Sequence, residues 1–152
     1  MRKKTVYALI SLGVLGVDRV LKFLVISYIP PASGVQVLPF FRITRVYNTG
    51  MAFGLFPGFN TLLIWINILL ASVIGCLVFG RKVHHGSAEP AAFSLILGGA
   101  VSNIWDRIFY GGVIDYIDTG FWPVFNAADA AITAGALIIL VRMALKTTGE
   151  RT

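Results

Sequence analysis

The chain reads as an all-α integral membrane protein. Four transmembrane helices, both termini cytoplasmic and a small β-like subdomain in the outward-facing loop between helices 1 and 2 are expected. Three observations predict this. Of 152 residues, 57% are hydrophobic and 13% charged, about half the charged share of an ordinary soluble domain, and the mean hydropathy is +0.80. Four apolar segments each approach the ~20 residues that cross a bilayer core of ~30 Å. The basic residues sit beside those segments and form no water-facing stripe, so the net charge of +6 points to membrane orientation and not to a nucleic-acid partner.

The first span is predicted over residues 5–28. Arg2, Lys3 and Lys4 ahead of it resemble the start of a signal peptide, but Asp18, Arg19 and Lys22 interrupt the apolar run and no small-x-small site follows promptly. It reads as a retained span. The loop after it alternates in "GVQVLP" and "RITRVY", punctuated by Gly34, Pro39, Gly50 and Pro57, which predicts a hairpin or small sheet lying on the membrane. The second span covers residues 59–79 and contains Cys76, the one thiol. No internal disulfide can form, and a cysteine in an apolar run reads as a packing residue. "HHGSAEP" is the one hydrophilic linker, and its His84 and His85 read as solvated. Spans three and four are predicted over residues 91–109 and 127–145. There is no internal repeat, and residues 1–152 are expected to form one domain.

Arg2, Lys3, Lys4, Arg81, Lys82, Arg142, Lys146 and Arg151 fall on one side of this layout, eight of thirteen basic residues. By the positive-inside rule that side is cytoplasmic. The loops 29–58 and 110–126 then face outward, and their aromatic residues, among them Phe40, Tyr47, Phe53, Phe56, Tyr116, Phe121 and Trp122, suit the headgroup level.

At ~1.5 Å rise per residue, Asp18 lies in the outer third of span one, with Lys22 one turn further along the same face. Asn103, Asp106 and Arg107 come near the outer end of span three. Asp129 falls in the first turn of span four, and Asp115 in the loop before it. Five of the seven acidic residues, Asp18, Asp106, Asp115, Asp118 and Asp129, thus gather at one level. Intramembrane ionisable groups are costly and face a bundle interior or watery cavity, where they act on ions, protons or substrate.

Simpler roles exist for each. Asp18 and Lys22 suit an intrahelical ion pair, Asn126 and Asp129 the spacing of an N-cap and its N3 acid, Arg107 a counter-ion to Asp106 or Asp115, and Asp118 a turn. Capping does not account for a second aspartate fourteen residues before Asp129. Two carboxylates at low dielectric share a proton, the charged member taking one from water and the protonated one polarising a carbonyl. Spacing leaves Asp106 and Asp118 open as alternatives to Asp115. Ser102 has no evident base, and both histidines lie on the opposite side. A proton-coupled transporter would use a midplane site between repeats, and neither is present; a scaffold would not need its aspartates to react.

"DRVLK" (18–22), "NTGMAFG" (48–54), "GGAVSNIWDR" (98–107) and "GGVIDYID" with "WPVFNAADAAI" (111–132) resemble the successive motifs of the lipoprotein signal peptidases, or signal peptidase II, aspartic peptidases of the bacterial cytoplasmic membrane. The resemblance covers nearly the whole chain in order. It implies Asp115 and Asp129 as the catalytic pair, Asn103, Arg107 and Asn126 as residues that order the pair and the substrate, and Asp18, Lys22, Asn48 and Gly50 as lining or support. It also implies a diacylglyceryl-modified prolipoprotein as substrate, cut before the lipidated cysteine near the outer face, with membrane lipid as surroundings and no metal or other cofactor. A monomer is expected, because four spans can close one bundle. Ser102 stands where the family block has a second glycine, so pocket shape beside Asn103 is expected to differ.

Overall fold

The computed structural model describes residues 2–50, 58–80 and 88–149. Met51, Phe53 and Gly54 of the "NTGMAFG" block, Phe56, Pro57, Arg81, Lys82, His84, His85, Glu150 and Arg151 lie outside them.

Among the described residues four helices carry the fold: α1 (Arg2–Tyr28), α2 (Asn60–Phe79), α3 (Glu89–Tyr110) and α4 (Ala127–Gly149). They coincide with the four apolar segments: α1, α3 and α4 extend beyond the expected spans by one to four residues at an end, and α2 starts one residue later. Pro90 and Glu89 suit the first turn of α3, where N–H groups lack partners and the dipole favours an acid. Gly111 ends it in the left-handed conformation at φ 74°, which a residue with a Cβ adopts only at a cost.

By length and composition α2 and α4 can each cross a membrane. The apolar runs of α1 and α3 are interrupted by Asp18, Arg19 and Lys22, and by Asp106 and Arg107. Burial explains the difference. Asp18, Lys22, Ser94, Ser102, Asp106 and Asn126 are at most 1% exposed, whereas Leu69 is 65% and Trp65 67% exposed on α2, and Leu145 67% on α4. Polar inside and apolar outside reverses the order of a water-soluble core, as hydrocarbon surroundings require.

Without an apolar driving force between helices, close backbone approach holds such a bundle. Adjacent glycines of α3 face opposite neighbours. A Cβ at Gly98 would lie 2.5 Å from the Ser11 carbonyl oxygen of α1, and one at Gly99 2.5 Å from that of Ala128 in α4. The α1–α3 contact is reinforced by the Ser11 hydroxyl, which donates to the Ser94 carbonyl at 2.9 Å.

The predicted hairpin is present as β1 (Gly34–Leu38) and β2 (Phe41–Asn48). A third strand, β3 (Val113–Asp118), completes an antiparallel sheet in the order β1-β2-β3. This corrects the expectation that the β subdomain belongs to the first loop alone and that Asp115 lies in a loop: Asp115 is on β3, opposite Val46. Val113, Ile114, Asp115 and Tyr116 are all buried, so the segment has no polar face from which alternation could be read. Tyr116 packs with Val25 and Ile29, tying the sheet to α1. Arg45 adds a second tie, donating from Nη1 to the Ile26 and Ile29 carbonyls at 3.0 and 3.1 Å.

Candidate active site

The start of α4 organises the polar interior. Its first free N–H groups, exposed by helix geometry, each find a different acceptor. Ala127 N–H donates to the Tyr116 hydroxyl at 3.0 Å, Ala128 N–H to Asp18 Oδ1 at 3.2 Å and Asp129 N–H to Asn126 Oδ1 at 2.8 Å. Asn126 N–H returns a bond to Asp129 Oδ2 at 3.3 Å. The expected N-cap and N3 pairing is therefore formed in both directions, and it leaves Asp129 Oδ1 for another donor.

That donor is Asn103 Nδ2, at 2.7 Å. The Asn103 carbonyl oxygen accepts from Lys22 Nζ at 3.1 Å and from Asn126 Nδ2 at 3.2 Å, so the ammonium sets which end of the amide faces Asp129. Asn126 Nδ2 also donates to Asp115 Oδ1 at 2.8 Å, and Asn48 Nδ2 to Asp115 Oδ2 at 3.1 Å. Asn48 Oδ1 in turn accepts from Gly50 N–H at 3.0 Å. Three amides thus hold two carboxylates, and the side chain of Asn126 bonds Asp115 while also capping Asp129.

Burial first, and the neighbouring charge of Asp129 second, push Asp115 up to about 7, against the donors Asn48 and Asn126 and the charge of Lys22. Burial likewise pushes the Tyr116 phenol up, so it stays protonated at neutral pH. Its hydroxyl can donate to Asp18 Oδ1, at 3.4 Å.

Asp18 and Asp106 lie one link away. Lys22 Nζ sits 2.7 Å from Asp18 Oδ2 and 2.6 Å from Asp106 Oδ2, and Arg19 Nη2 sits 2.6 Å from Asp106 Oδ1 and 3.4 Å from Asp18 Oδ2. Asp106 Oδ2 also accepts from Ile114 N–H, the residue before Asp115, at 3.1 Å. Two carboxylates and two cations form a closed, neutral ring. The intrahelical Asp18–Lys22 pair is present, but Asp106 takes its countercharge from α1 and not from Arg107. Ser102 does have a carboxylate neighbour, contrary to expectation: it donates to Asp18 Oδ2 at 2.5 Å and accepts from Arg19 Nε at 3.0 Å. Fully buried and turned into the ring, its hydroxyl is held away from the aspartate pair.

Arg107 Nη2 donates to the Gly50 carbonyl at 3.0 Å. Among the described residues its Nε and Nη1 are buried without a hydrogen-bond partner, and the guanidinium stands in the field of Asp115, Asp129 and Asp106. Unmet donors beside two carboxylates suit an acceptor brought by a ligand. An apolar cleft of about 710 Å³ opens beside Asp129, lined by Phe121, Trp122 and Pro123 and by Ala130, Thr133 and Leu137 of α4.

All nine residues singled out from the sequence fall in this region. Asp115, Asp129, Asn48, Asn103 and Asn126 are joined by hydrogen bonds, Gly50 binds Asn48 and Arg107, and Asp18 and Lys22 form the ring. Asp118 accepts from Gly120 N–H at 2.9 Å in the predicted turn. With Asp106 engaged in the ring, Asp115 is the carboxylate left beside Asp129. Arg19 and Tyr116 were not anticipated as site residues; the i,i+3 spacing of Arg19 and Lys22 was the available signal for Arg19. Among the described residues, no group of three His, Cys, Asp or Glu side chains is arranged for a metal ion.

The family model for signal peptidase (SPase) II matches residues 10–145. The lipoprotein signal peptidase of Syntrophomonas wolfei is 40% identical over 129 residues, covering 84% of this chain and 85% of its own. That of Halothermothrix orenii is 34% identical over 137 residues, covering 90% and 92%. A solved bacterial membrane enzyme superposes with a TM-score of 0.88 at 29% identity, over 97% of this chain and 92% of its own. Helices around a polar interior, with these matches, define the class: an aspartic-type peptidase, a hydrolase. The chain belongs to the signal peptidase II family.

Proposed function

We propose that this protein removes signal peptides from prolipoproteins whose lipobox cysteine carries diacylglycerol, cutting on the N-terminal side of that cysteine with Asp115 and Asp129 as the catalytic pair. The observation that carries the reading is Asn126: its amide donates to Asp115 while its carbonyl oxygen caps Asp129, so one side chain sets both carboxylates. The protein acts as a single domain of four spans in the bacterial cytoplasmic membrane, as a monomer, with both termini cytoplasmic and the pair toward the outer face. The apolar exterior of the helices supports the spans, and the placement of basic residues supports the orientation.

Asp115, pushed up to about 7, is the member that carries the shared proton near neutrality. Asp129 sits in the first turn of α4, where the helix end favours a carboxylate. In the proposed cycle Asp129 takes a proton from water, the hydroxide adds to the peptide carbonyl, and Asp115 O–H hydrogen-bonds the developing oxyanion. The proton on Asp129 then passes to the amide nitrogen as the C–N bond breaks, which releases an amine and a carboxylic acid. Water is the nucleophile, and no covalent enzyme intermediate forms. Arg107 offers its two unmet donors to substrate carbonyls, and Gly50 N–H holds the Asn48 side chain at the end of β2. The cleft beside Asp129 receives the apolar part of the substrate, and its anchorage in lipid raises the local concentration at the pair.

The test is cleavage of a diacylglyceryl-modified prolipoprotein by purified wild type, Asp115→Asn and Asp129→Asn, with thermal melting of all three in detergent. The reading expects each substitution to abolish cleavage with the fold retained. Normal cleavage by both variants, or none by wild type, would overturn it.

A further inference from the structure

Arg19 and Ser102 have no part in the chemistry above, yet the geometry around them is closed. Ser102 is fully buried and Arg19 mostly so. Ser102 joins the two elements that carry the ring, donating to Asp18 at 2.5 Å and accepting from Arg19 at 3.0 Å. Arg19 reaches on to Asp106 at 2.6 Å. The two carboxylates of the ring hold the backbone on either side of the aspartate pair: Asp106 binds Ile114 N–H, one residue before Asp115, and Asp18 binds Ala128 N–H, one residue before Asp129. Lys22, the other cation, fixes the Asn103 amide that donates to Asp129.

We propose that Arg19 and Ser102 are positioning residues for the aspartate pair, closing a neutral ring with Asp18, Lys22 and Asp106 that sets both the spacing and the charge at which the pair operates. The inference rests on the assignment of Asp115 and Asp129 as catalytic. The charged and titratable groups whose fields meet the pair among the described residues are Asp18 and Lys22 from α1, Arg107 from α3 and Tyr116 from β3, and Arg19 and Asp106 stand behind Asp18 and Lys22 in the ring. Without Arg19 the ring carries a net negative charge, and a carboxylate beside it ionises at higher pH. Without the Ser102 hydroxyl, Asp18 loses a donor and Arg19 Nε an acceptor, while the charges remain.

The experiment measures kcat, KM and the pH profile of cleavage for wild type, Ser102→Ala, Arg19→Gln and Arg19→Lys, with melting of each and with Asp115→Asn and Asp129→Asn alongside. Ser102→Ala keeps the Cβ and removes the hydroxyl. Its kcat is expected to fall about five- to ten-fold with KM within about two-fold, as a displaced catalytic group costs rate and not binding. Arg19→Gln is expected to lower kcat similarly and to move the acid limb to higher pH, while Arg19→Lys returns the limb toward wild type. Wild-type kcat and acid limb in both Ser102→Ala and Arg19→Gln would overturn the proposal. So would a loss of melting temperature with kcat per folded molecule unchanged, which would make the ring purely structural. If Arg19→Gln does not fold, Ser102→Ala and Arg19→Lys decide: wild-type kcat in Ser102→Ala overturns the proposal, and a lowered kcat with the Arg19→Lys limb near wild type supports it. Cleavage by the aspartate variants, or none by wild type, would sink the catalytic assignment itself and the positioning role with it.

Discussion

Asn103 and Asp129 meet through a 2.7 Å hydrogen bond in which the amide donates, and Lys22 on the far side of that amide holds it the right way round. A neutral side chain thereby passes the influence of a buried ammonium to a carboxylate it does not touch. Asn103→Leu keeps the approximate volume and removes both ends of the link. Cleavage kinetics are expected to show kcat lowered by about 10²-fold, the scale of a catalytic group displaced by ~1 Å. An unchanged kcat would show that Asp129 is held by its cap alone.

Lys22→Met tests the ring as a source of stability. Removing one partner from a buried ion pair costs about 3–5 kcal/mol, because the remaining charge is left uncompensated. Asp18 and Asp106 would then share Arg19 alone. Melting in detergent is expected to show a drop far larger than that of an exposed substitution such as Lys3→Met.

The pH dependence of stability follows from Asp115, which burial and Asp129 push up to about 7 from the ordinary 3.8. Below about 4 both the folded and unfolded forms are protonated. Between about 4 and 7 the unfolded form has ionised while the folded form holds its proton, so stability falls as pH rises through that window and then levels. Asp115→Asn does not titrate. Its melting temperature relative to wild type is expected to climb from pH 4 to 7 and stay flat above; a constant difference would place the Asp115 titration elsewhere.

Helix packing gives a paired prediction on glycines. A Cβ at Gly99 meets the Ala128 carbonyl oxygen at 2.5 Å, whereas one at Gly13 meets nothing within 4 Å. Gly99→Val is expected to push α4 from α3, lowering melting temperature and cleavage together. Gly13→Ala is expected to be neutral or to stabilise by up to about 1 kcal/mol through helix propensity.

Orientation is checked by reporter fusions. A reporter active only in the cytoplasm and fused after Gly80 is expected to be active, and the same reporter after Phe40 silent. The opposite pattern would invert the proposed topology.

The helices and the hairpin were legible because their patterns are written against a uniform surrounding: long apolar runs, and alternation in residues 34–39 and 42–47. β3 was not, since a strand buried on both faces shows no alternation, and its Asp115 and Asp118 look like loop residues. The level at which Asp18, Asn103 and Asp129 gather followed from span order and helical rise, and that of Asp115 from its place just before span four. Which side chain bonds which did not. Arg19 reads only as a charge that interrupts the first apolar run until α3 is packed against it, and the phenol of Tyr116 reads as interfacial until α4 supplies Ala127 N–H. Ser102 lies 83 residues from Arg19 and Ala127 lies 11 from Tyr116, and neither partner leaves a local mark.

The tie between Asp18 and Ala128 has a consequence for biosynthesis. Asp18 is made early, and its acceptor oxygen waits for an N–H that leaves the ribosome more than a hundred residues later, at the head of the last of the four helices. The same helix brings Asp129. Until it docks, the nascent chain has only Asp115 of the proposed pair, without the Asp129 cap that orients the Asn126 amide. On the proposed assignment, hydrolytic competence therefore arrives only when this last helix docks.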